Sequence, residues 1–406
     1  MIKSIHIKNF KSVVDLPLEL GAFNVLIGEN GCGKSNILEA IAFGAAASAD
    51  KLDYEFMGSR GIRVTNPEFM FSAFSNGKKK QSIKIDITAD DKGYAFDLLN
   101  EPENSKKWIN KNKVVAIKEM RERVKTIFFG TDNDKRNKIL EELKGEAEKM
   151  TMNALAKSIR PLGKDKKFKE YIENIYPAIL ENTFFNLPQI SNYIIYSPEQ
   201  SRLRKFEETT QILPLGVKGE GLFQYLKELV LNKKSKRLLD EIKQNLTLLD
   251  WYEDFELPKN LMQNEFSLRI KDKYLYPTLQ YFDQRSTNEG FLFLLFYSTL
   301  FISKTTPAFF AIDNIDTSLN PKLCMQLTKN LAVLAKKHRK QVIVTTQNPA
   351  ILDGLNLKDD NQRLFVVRRN EEGHTKANRI EFKPDRKMKL SEVWTNGFIG
   401  GLPENF

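Results

Sequence analysis

Cysteine is almost missing from this chain: 406 residues hold two, Cys32 and Cys324. Two distant thiols make no disulfide framework, which fits a reducing cytosol and excludes a small stapled secreted fold. Histidine is as scarce, at His6, His338 and His374, and too scattered for a zinc site. Long apolar runs are lacking too. The most apolar segment, Phe291–Ile302, is too short to span a bilayer and reads as a buried helix, so no membrane partner is expected. Met1–Phe10 alternates like a strand and does not read as a signal peptide. There is no internal repeat and no low-complexity tail.

What is present begins with charge. Lysine and arginine outnumber acidic residues by 63 to 52, a net +11, and much of the excess is concentrated. Between Ser105 and Leu180 there are 19 Lys/Arg and 11 Asp/Glu. Such a block either contacts a nucleic-acid backbone or is a lysine-rich solvated helical surface. A hydrophobic content of 41% supports a packed core, and the length admits two or three domains.

The strongest local signal is Gly28-Glu29-Asn30-Gly31-Cys32-Gly33-Lys34-Ser35, which fits the nucleotide-binding pattern G-x-x-x-x-G-K-[ST]. A β-rich run (Phe23, Val25, Leu26, Ile27) precedes it, and Ile37, Leu38, Ala40 and Ile41 follow at helical spacing. Glycines let successive N–H groups turn toward phosphate oxygens, and the helix adds its positive end. Lys34 is expected to neutralise the β- and γ-phosphates, and Ser35 to ligate Mg²⁺. Gly28, Asn30, Gly31, Cys32, Gly33 and Asn36 complete the expected contacts.

Further along, Ser82–Thr88 alternates as a half-exposed antiparallel strand, and the chain from about Ser105 to Leu180 turns helical and charged. Leu222–Leu249 reads as a second helical piece. Ala308–Ile312, Val342–Thr346 and Leu364–Val367 are short apolar runs of the kind buried on both faces of a parallel sheet. Asn320-Pro321 opens a helix with the core stripe Leu323, Leu327, Leu331 and Leu334, and Asn348-Pro349 repeats the device. Strands alternating with helices imply a mostly parallel sheet covered on both sides. Asp313, at the end of Phe309–Ile312, stands where Mg²⁺ needs a carboxylate, a Walker B position.

Ile5–Ser12, the loop Ile312–Pro321 and the segment Val344–Gly354 together resemble the RecF/SMC/OLD class of ABC-type AAA family ATPases found in prokaryotic defence and DNA-maintenance operons, such as the ATPase subunits of Septu, PARIS or retron-like systems. Ser197–Gln200 and Gly216–Gly221 are weakly similar to the mid-chain pattern of that class. The resemblance covers residues 1–75 and 186–370 in patches. It implies an α/β P-loop NTPase: an ABC-type head with a mostly parallel sheet, an antiparallel β subdomain and a helical insertion. Residues 1–104 would form the N-terminal part of the head, 105–185 the basic insertion, and 186–406 the C-terminal part. It also implies ATP and Mg²⁺ as cofactors and self-association through ATP-sandwiched heads.

In that class the second head offers a signature loop at a helix start. Here the candidate is Ser286-Thr-Asn288-Glu-Gly290, which departs from the usual Ser-Gly-Gly and reads almost as well as an ordinary helix cap. Thr317–Asn320 takes the D-loop position. Two further departures concern hydrolysis. Asn314 stands where the class has the glutamate that polarises water, and Gln347 where it has a γ-phosphate histidine. An amide orients water but takes no proton, so tight binding with slow turnover is expected. Asp316 is the nearest substitute carboxylate, and hydrolysis through positioning alone is the competing expectation. No His-Asn-His cluster or Toprim-type carboxylate set is found, so an effector nuclease is expected as a separate partner. A repair ATPase that binds DNA directly, and a non-hydrolysing scaffold, remain the alternatives.

Overall fold

The computed structural model describes residues 1–74, 82–90, 92–101, 104–112, 187–205, 212–258, 267–276 and 278–402. Most of the basic stretch that begins at Ser105 therefore lies outside the described residues, as does Lys78–Lys80, the basic run expected on the face of paired heads if they bind DNA directly.

The central layer is a six-stranded sheet in the order β14-β13-β3-β12-β11-β7. Its strands are β3 (Phe23–Ile27), β7 (Ile195–Tyr196), β11 (Phe309–Ile312), β12 (Gln341–Thr345), β13 (Gln362–Arg369) and β14 (Thr375–Ile380). All neighbours run parallel except the β13–β14 hairpin. β3, β11 and β12 are buried throughout, which explains their continuous apolar runs. Register stacks the side chains in layers. Phe23, Val25 and Ile27 share one core with Val342, Val344, Leu364 and Val366, while Leu26, Ile343, Phe365 and Val367 join the other.

The second core lies between this sheet and an antiparallel sheet in the order β2-β1-β4-β5-β6: β1 (Ile2–Phe10), β2 (Val13–Glu19), β4 (Ile83–Ala89), β5 (Lys92–Glu101) and β6 (Asn104–Asn110). Helix α1 (Lys34–Ser48) is wedged between the two sheets and buried on nearly every side, which its alanine-rich sequence permits. Gln341 ties the sheets together. Its amide accepts from Ile2 N–H at 2.9 Å and donates to the carbonyls of Ile2 and Gly21 at 2.8 Å each.

On the other face pack α2 (Leu222–Leu231), α3 (Lys236–Leu246), α4 (Glu289–Ile302), α5 (Pro321–Lys337) and a small sheet of β8 (Tyr252–Glu256), β9 (Arg269–Asp272) and β10 (Phe282–Asp283). As expected, α4 is apolar all round and buried, and α5 lays Leu323, Leu327, Leu331 and Leu334 on the core. Among the described residues no helix is long and apolar enough to cross a membrane.

Three details differ from the sequence reading. The helical expectation from about Ser105 does not hold for its first residues, because β6 runs to Asn110 by pairing with β5; residues 113–180 lie outside the described residues. Leu222–Leu249 is two helices, interrupted at 232–235. Asn348-Pro349 starts only a 3-10 helix, Pro349–Gly354. Asn348 does cap it, accepting from Ala350 N–H at 3.0 Å, but Gly354 presses against the Met325 carbonyl and Thr328, and the chain leaves.

Lys340, just before β12, is buried. Its ammonium donates to the carbonyls of Thr306 (2.9 Å) and Pro307 (3.1 Å) and to Thr306 Oγ1 (2.8 Å), all uncharged oxygens. Burial pushes it down from 10.5 to about 8. The unfolded chain holds this proton more tightly, so the group's contribution to stability rises with pH between about 8 and 10.5. In melts from pH 7.5 to 10, the wild type is therefore expected to gain on Lys340→Met as pH rises. A gap between them that ignores pH would count against this assignment.

Candidate functional site

β3 delivers the chain into the glycine-rich loop, and α1 begins at Lys34. The loop needs its glycines for two reasons. Gly28, Gly31 and Gly33 hold φ of 150°, 77° and 108°, a region costly for other residues. At Gly28 and Gly33 there is also no room. A Cβ would stand 2.1 Å from the Val367 carbonyl oxygen at the first and 2.1 Å from Thr375 Oγ1 at the second. The Lys34 ammonium folds back over the loop, donating to the carbonyls of Gly28 (2.7 Å) and Glu29 (2.9 Å). Cys32 Sγ lies 3.8 Å from that ammonium, and burial raises its thiol above the ordinary range. Both cysteines are free and buried.

The strand-end carboxylate sits beside the helix start. Ser35 Oγ donates to one oxygen of Asp313 at 3.0 Å, and Thr345 Oγ1 donates to the other. Thr345 Oγ1 itself accepts from Asn314 N–H at 2.8 Å. The parallel pairing of β11, β12 and β3 brings these three strand ends to one edge of the sheet. Asn314 has φ 55°, in the left-handed region, and its side chain is exposed. Asp316 accepts from Thr346 Oγ1 at 2.7 Å. The Gln347 amide donates to Asn30 in the loop, so these two expected residues meet across the site. Beneath lies Tyr193, whose hydroxyl is pushed up by burial and then by the Asp313 charge. Among the described residues no group of three His, Cys, Asp or Glu could hold a metal alone. The hydroxyl of Ser35 and the carboxylate of Asp313 are nonetheless hard oxygen ligands suited to Mg²⁺ with further waters.

Asn36 is turned the other way from the expectation. Its side-chain amide donates to Ser12 Oγ at 2.8 Å, and its oxygen accepts from Arg63 at 3.3 Å. Ser286, Asn288 and Gly290 form a second, separate group. Ser286 gives its N–H and hydroxyl to the Asp283 carboxylate, both at 3.0 Å, while Asn288 caps α4 by accepting from Phe291 N–H at 2.9 Å. Asn288 and Gly290 line a groove of about 750 Å³ with Ser318, Asn320, Lys322 and residues 247–251. The loop after Asp313 thus runs from one group to the other. Sequence reading missed Ser12, Thr345 and Thr375 as parts of the site, and also the buried Glu39, which pairs with both Lys11 and Arg63. Thr345 had one signal, its place in the Val344-Thr-Thr run; Thr375 had none.

Residues 23–353 match the family described as "AAA domain, putative AbiEii toxin, Type IV TA system". The chain belongs to this family. It keeps the P-loop at the end of β3 and the strand-end carboxylate at the end of β11, with β12 between them, the arrangement used for nucleotide with Mg²⁺. Two curated relatives are similar to parts of it. An uncharacterized protein, MJECL10 of Methanocaldococcus jannaschii, is 31% identical over 124 residues, covering 29% of this chain and 54% of that protein. The OLD nuclease of Thermus scotoductus is 21% identical over 194 residues, covering 45% of this chain and 34% of the nuclease. The chain therefore spans about half the length of the first and a third of the second. Solved structures similar to the AAA-domain chain include the SMC head domain from Thermotoga maritima (TM-score 0.47, 13% identity, covering 94% of this chain and 99% of that one). Another is the Smc head of Pyrococcus furiosus bound to the C-terminal domain of ScpA (0.47, 15%, covering 97% and 98%).

Proposed function

We propose that this chain is the ATP-binding subunit of a prokaryotic antiviral defence complex. In this reading it assembles through ATP-sandwiched heads and controls a separate effector, a nuclease. The observation that carries the nucleotide part is the 3.0 Å bond from Ser35 Oγ to Asp313, which joins the P-loop helix to the Walker B strand. Lys34 and the loop amides hold the phosphates, and Ser35 with Asp313 holds Mg²⁺, which when bound offsets phosphate charge. Asn314 and Gln347 orient water without accepting its proton, so turnover is slow. The family description, "putative AbiEii toxin, Type IV TA system", supports a place in a defence machinery, and the partial likeness to a nuclease supports work beside one.

Self-association is supported by the groove at Gly290. One head leaves the γ-phosphate half-coordinated, and this groove presents the capped start of α4 beside Ser318 and Asn320. A Cβ at Gly290 meets nothing nearer than 3.5 Å, so the backbone there accepts a side chain, and Gly290→Arg is expected to fill the groove, with a melt to check that the fold is kept. Light scattering with and without ATP and Mg²⁺ is expected to show a larger wild-type particle with nucleotide and no growth for Gly290→Arg. Equal masses for the wild type in both conditions would rule out ATP-driven pairing.

A further inference from the structure

A chain of polar groups runs one way beneath the P-loop. Thr375, at the start of β14, is fully buried, and its hydroxyl donates to the Cys32 carbonyl at 2.9 Å. That uses its only proton. The Ser12 hydroxyl, 2.7 Å away and also buried, must then donate to Thr375 Oγ1. Ser12 in turn accepts from the Asn36 amide at 2.8 Å, and the Arg63 contact on the Asn36 oxygen at 3.3 Å sets which end of that amide donates. Hydrogen bonds aligned head to tail strengthen one another. The chain touches the loop at one of its two tightest points, since a Cβ on Gly33 would lie 2.1 Å from Thr375 Oγ1 and 2.9 Å from Ser12 Oγ.

In a planar trans peptide the C=O and N–H point to opposite sides. Thr375 holds the Cys32 oxygen on the β14 side, so the Gly33 N–H faces away from it. We propose that Thr375 and Ser12 are positioning residues for nucleotide. They lock the Cys32–Gly33 peptide in the orientation that aims the Gly33 N–H at a phosphate, before any nucleotide arrives. This rests on the nucleotide reading given above. Both residues lie outside the stretch 23–353 that matches the family. The C-terminal hairpin is thereby a working part of the P-loop.

The test uses Thr375→Val, nearly the same shape without the hydroxyl. The backbone bond from Thr375 N–H to the Ser12 carbonyl, 2.8 Å, survives the change and keeps β14 seated. Calorimetry with Mg²⁺ and ATP is expected to show about tenfold weaker binding, the effect of stranding a buried carbonyl and letting the peptide turn. Thr375→Ser keeps the donor and is expected to stay within about twofold of wild type. Ser12→Ala removes the links to Thr375 and to Asn36 but leaves the Thr375 bond to the Cys32 carbonyl, for a loss of about threefold. A residue that merely packs would lower the nucleotide-free melting temperature and leave affinity alone.

Wild-type affinity in Thr375→Val, or equal losses in Thr375→Ser and Thr375→Val, would overturn the proposal. If Thr375→Val does not fold, Ser12→Ala decides: unchanged affinity there overturns it as well. A wild type that binds no ATP would sink the site reading and the relay together. A wild type that binds while the variants match it sinks the relay alone.

Discussion

Lys34→Ala weakens ATP binding by about 2–4 kcal/mol, roughly 30- to 700-fold in Kd. Lys34 is 7% exposed, and the partners of its ammonium in the structure are two loop carbonyls, at 2.7 and 2.9 Å, plus a distant sulfur. Neutral carbonyls hold a cation less strongly than a phosphate does, so the side chain exchanges one set of oxygens for the other. Without it, the phosphate charge stays uncompensated in a partly desolvated cradle. Lys34→Arg keeps the charge and isolates its fit, since a guanidinium is broader than an ammonium. Calorimetry reads the affinity, and a melt without nucleotide checks that the loop survives losing two hydrogen bonds. Unchanged affinity in the alanine variant would remove the P-loop from the argument.

Much of the site was legible because its signals are local. The eight residues Gly28–Ser35 carry their own conformational demand, three glycines at positive φ, and the flanking strand and helix announce themselves by period. Asp313 was legible as the first charge after a buried strand, and Asn288 and Asn320 cap their helices as residue type predicts. What stayed hidden depends on distance along the chain. Ser12 and Thr375 meet across 363 residues, and Gln341 reaches Ile2 across 339. A serine, a threonine or a glutamine advertises no partner in its own neighbourhood; only the packing of the antiparallel sheet, which carries Ile2 and the turn at Ser12, against the six-stranded sheet brings them together. The same holds for Glu39, an acid on an apolar helix that makes sense only beside Lys11 and Arg63. β6 was missed because its pairing with β5, a contact across the chain, decides the conformation up to Asn110 against the helical look of the charged stretch it opens.

Asn314→Glu is expected to raise single-turnover hydrolysis by about 10²–10⁴-fold, the usual worth of general-base assistance. The position faces solvent at the end of β11, next to Asp313, and its N–H is anchored on Thr345 Oγ1. A carboxylate there can orient water and take its proton, whereas the amide only orients. The substitution has a structural cost. Asn314 sits at φ 55°, which asparagine tolerates and glutamate resists, so about 1–2 kcal/mol of stability is lost. The melting temperature therefore falls as the rate rises, a pairing that a general improvement in folding would not produce. ATP affinity changes little, because Lys34 and the loop amides carry the binding. Asp316 is poorly placed to do the work itself: its carboxylate accepts from Thr346 Oγ1 at 2.7 Å and adds to the burial that pushes the buried hydroxyl of Tyr297 and the thiol of Cys324 up. Asp316→Asn is accordingly expected to leave hydrolysis slow and unchanged, and Gln347→His to add to the Asn314→Glu gain by placing an imidazole beside Asn30. A wild type that already turns over ATP briskly, untouched by Asn314→Glu and silenced by Asp316→Asn, would transfer the water to Asp316 and end the slow-turnover reading.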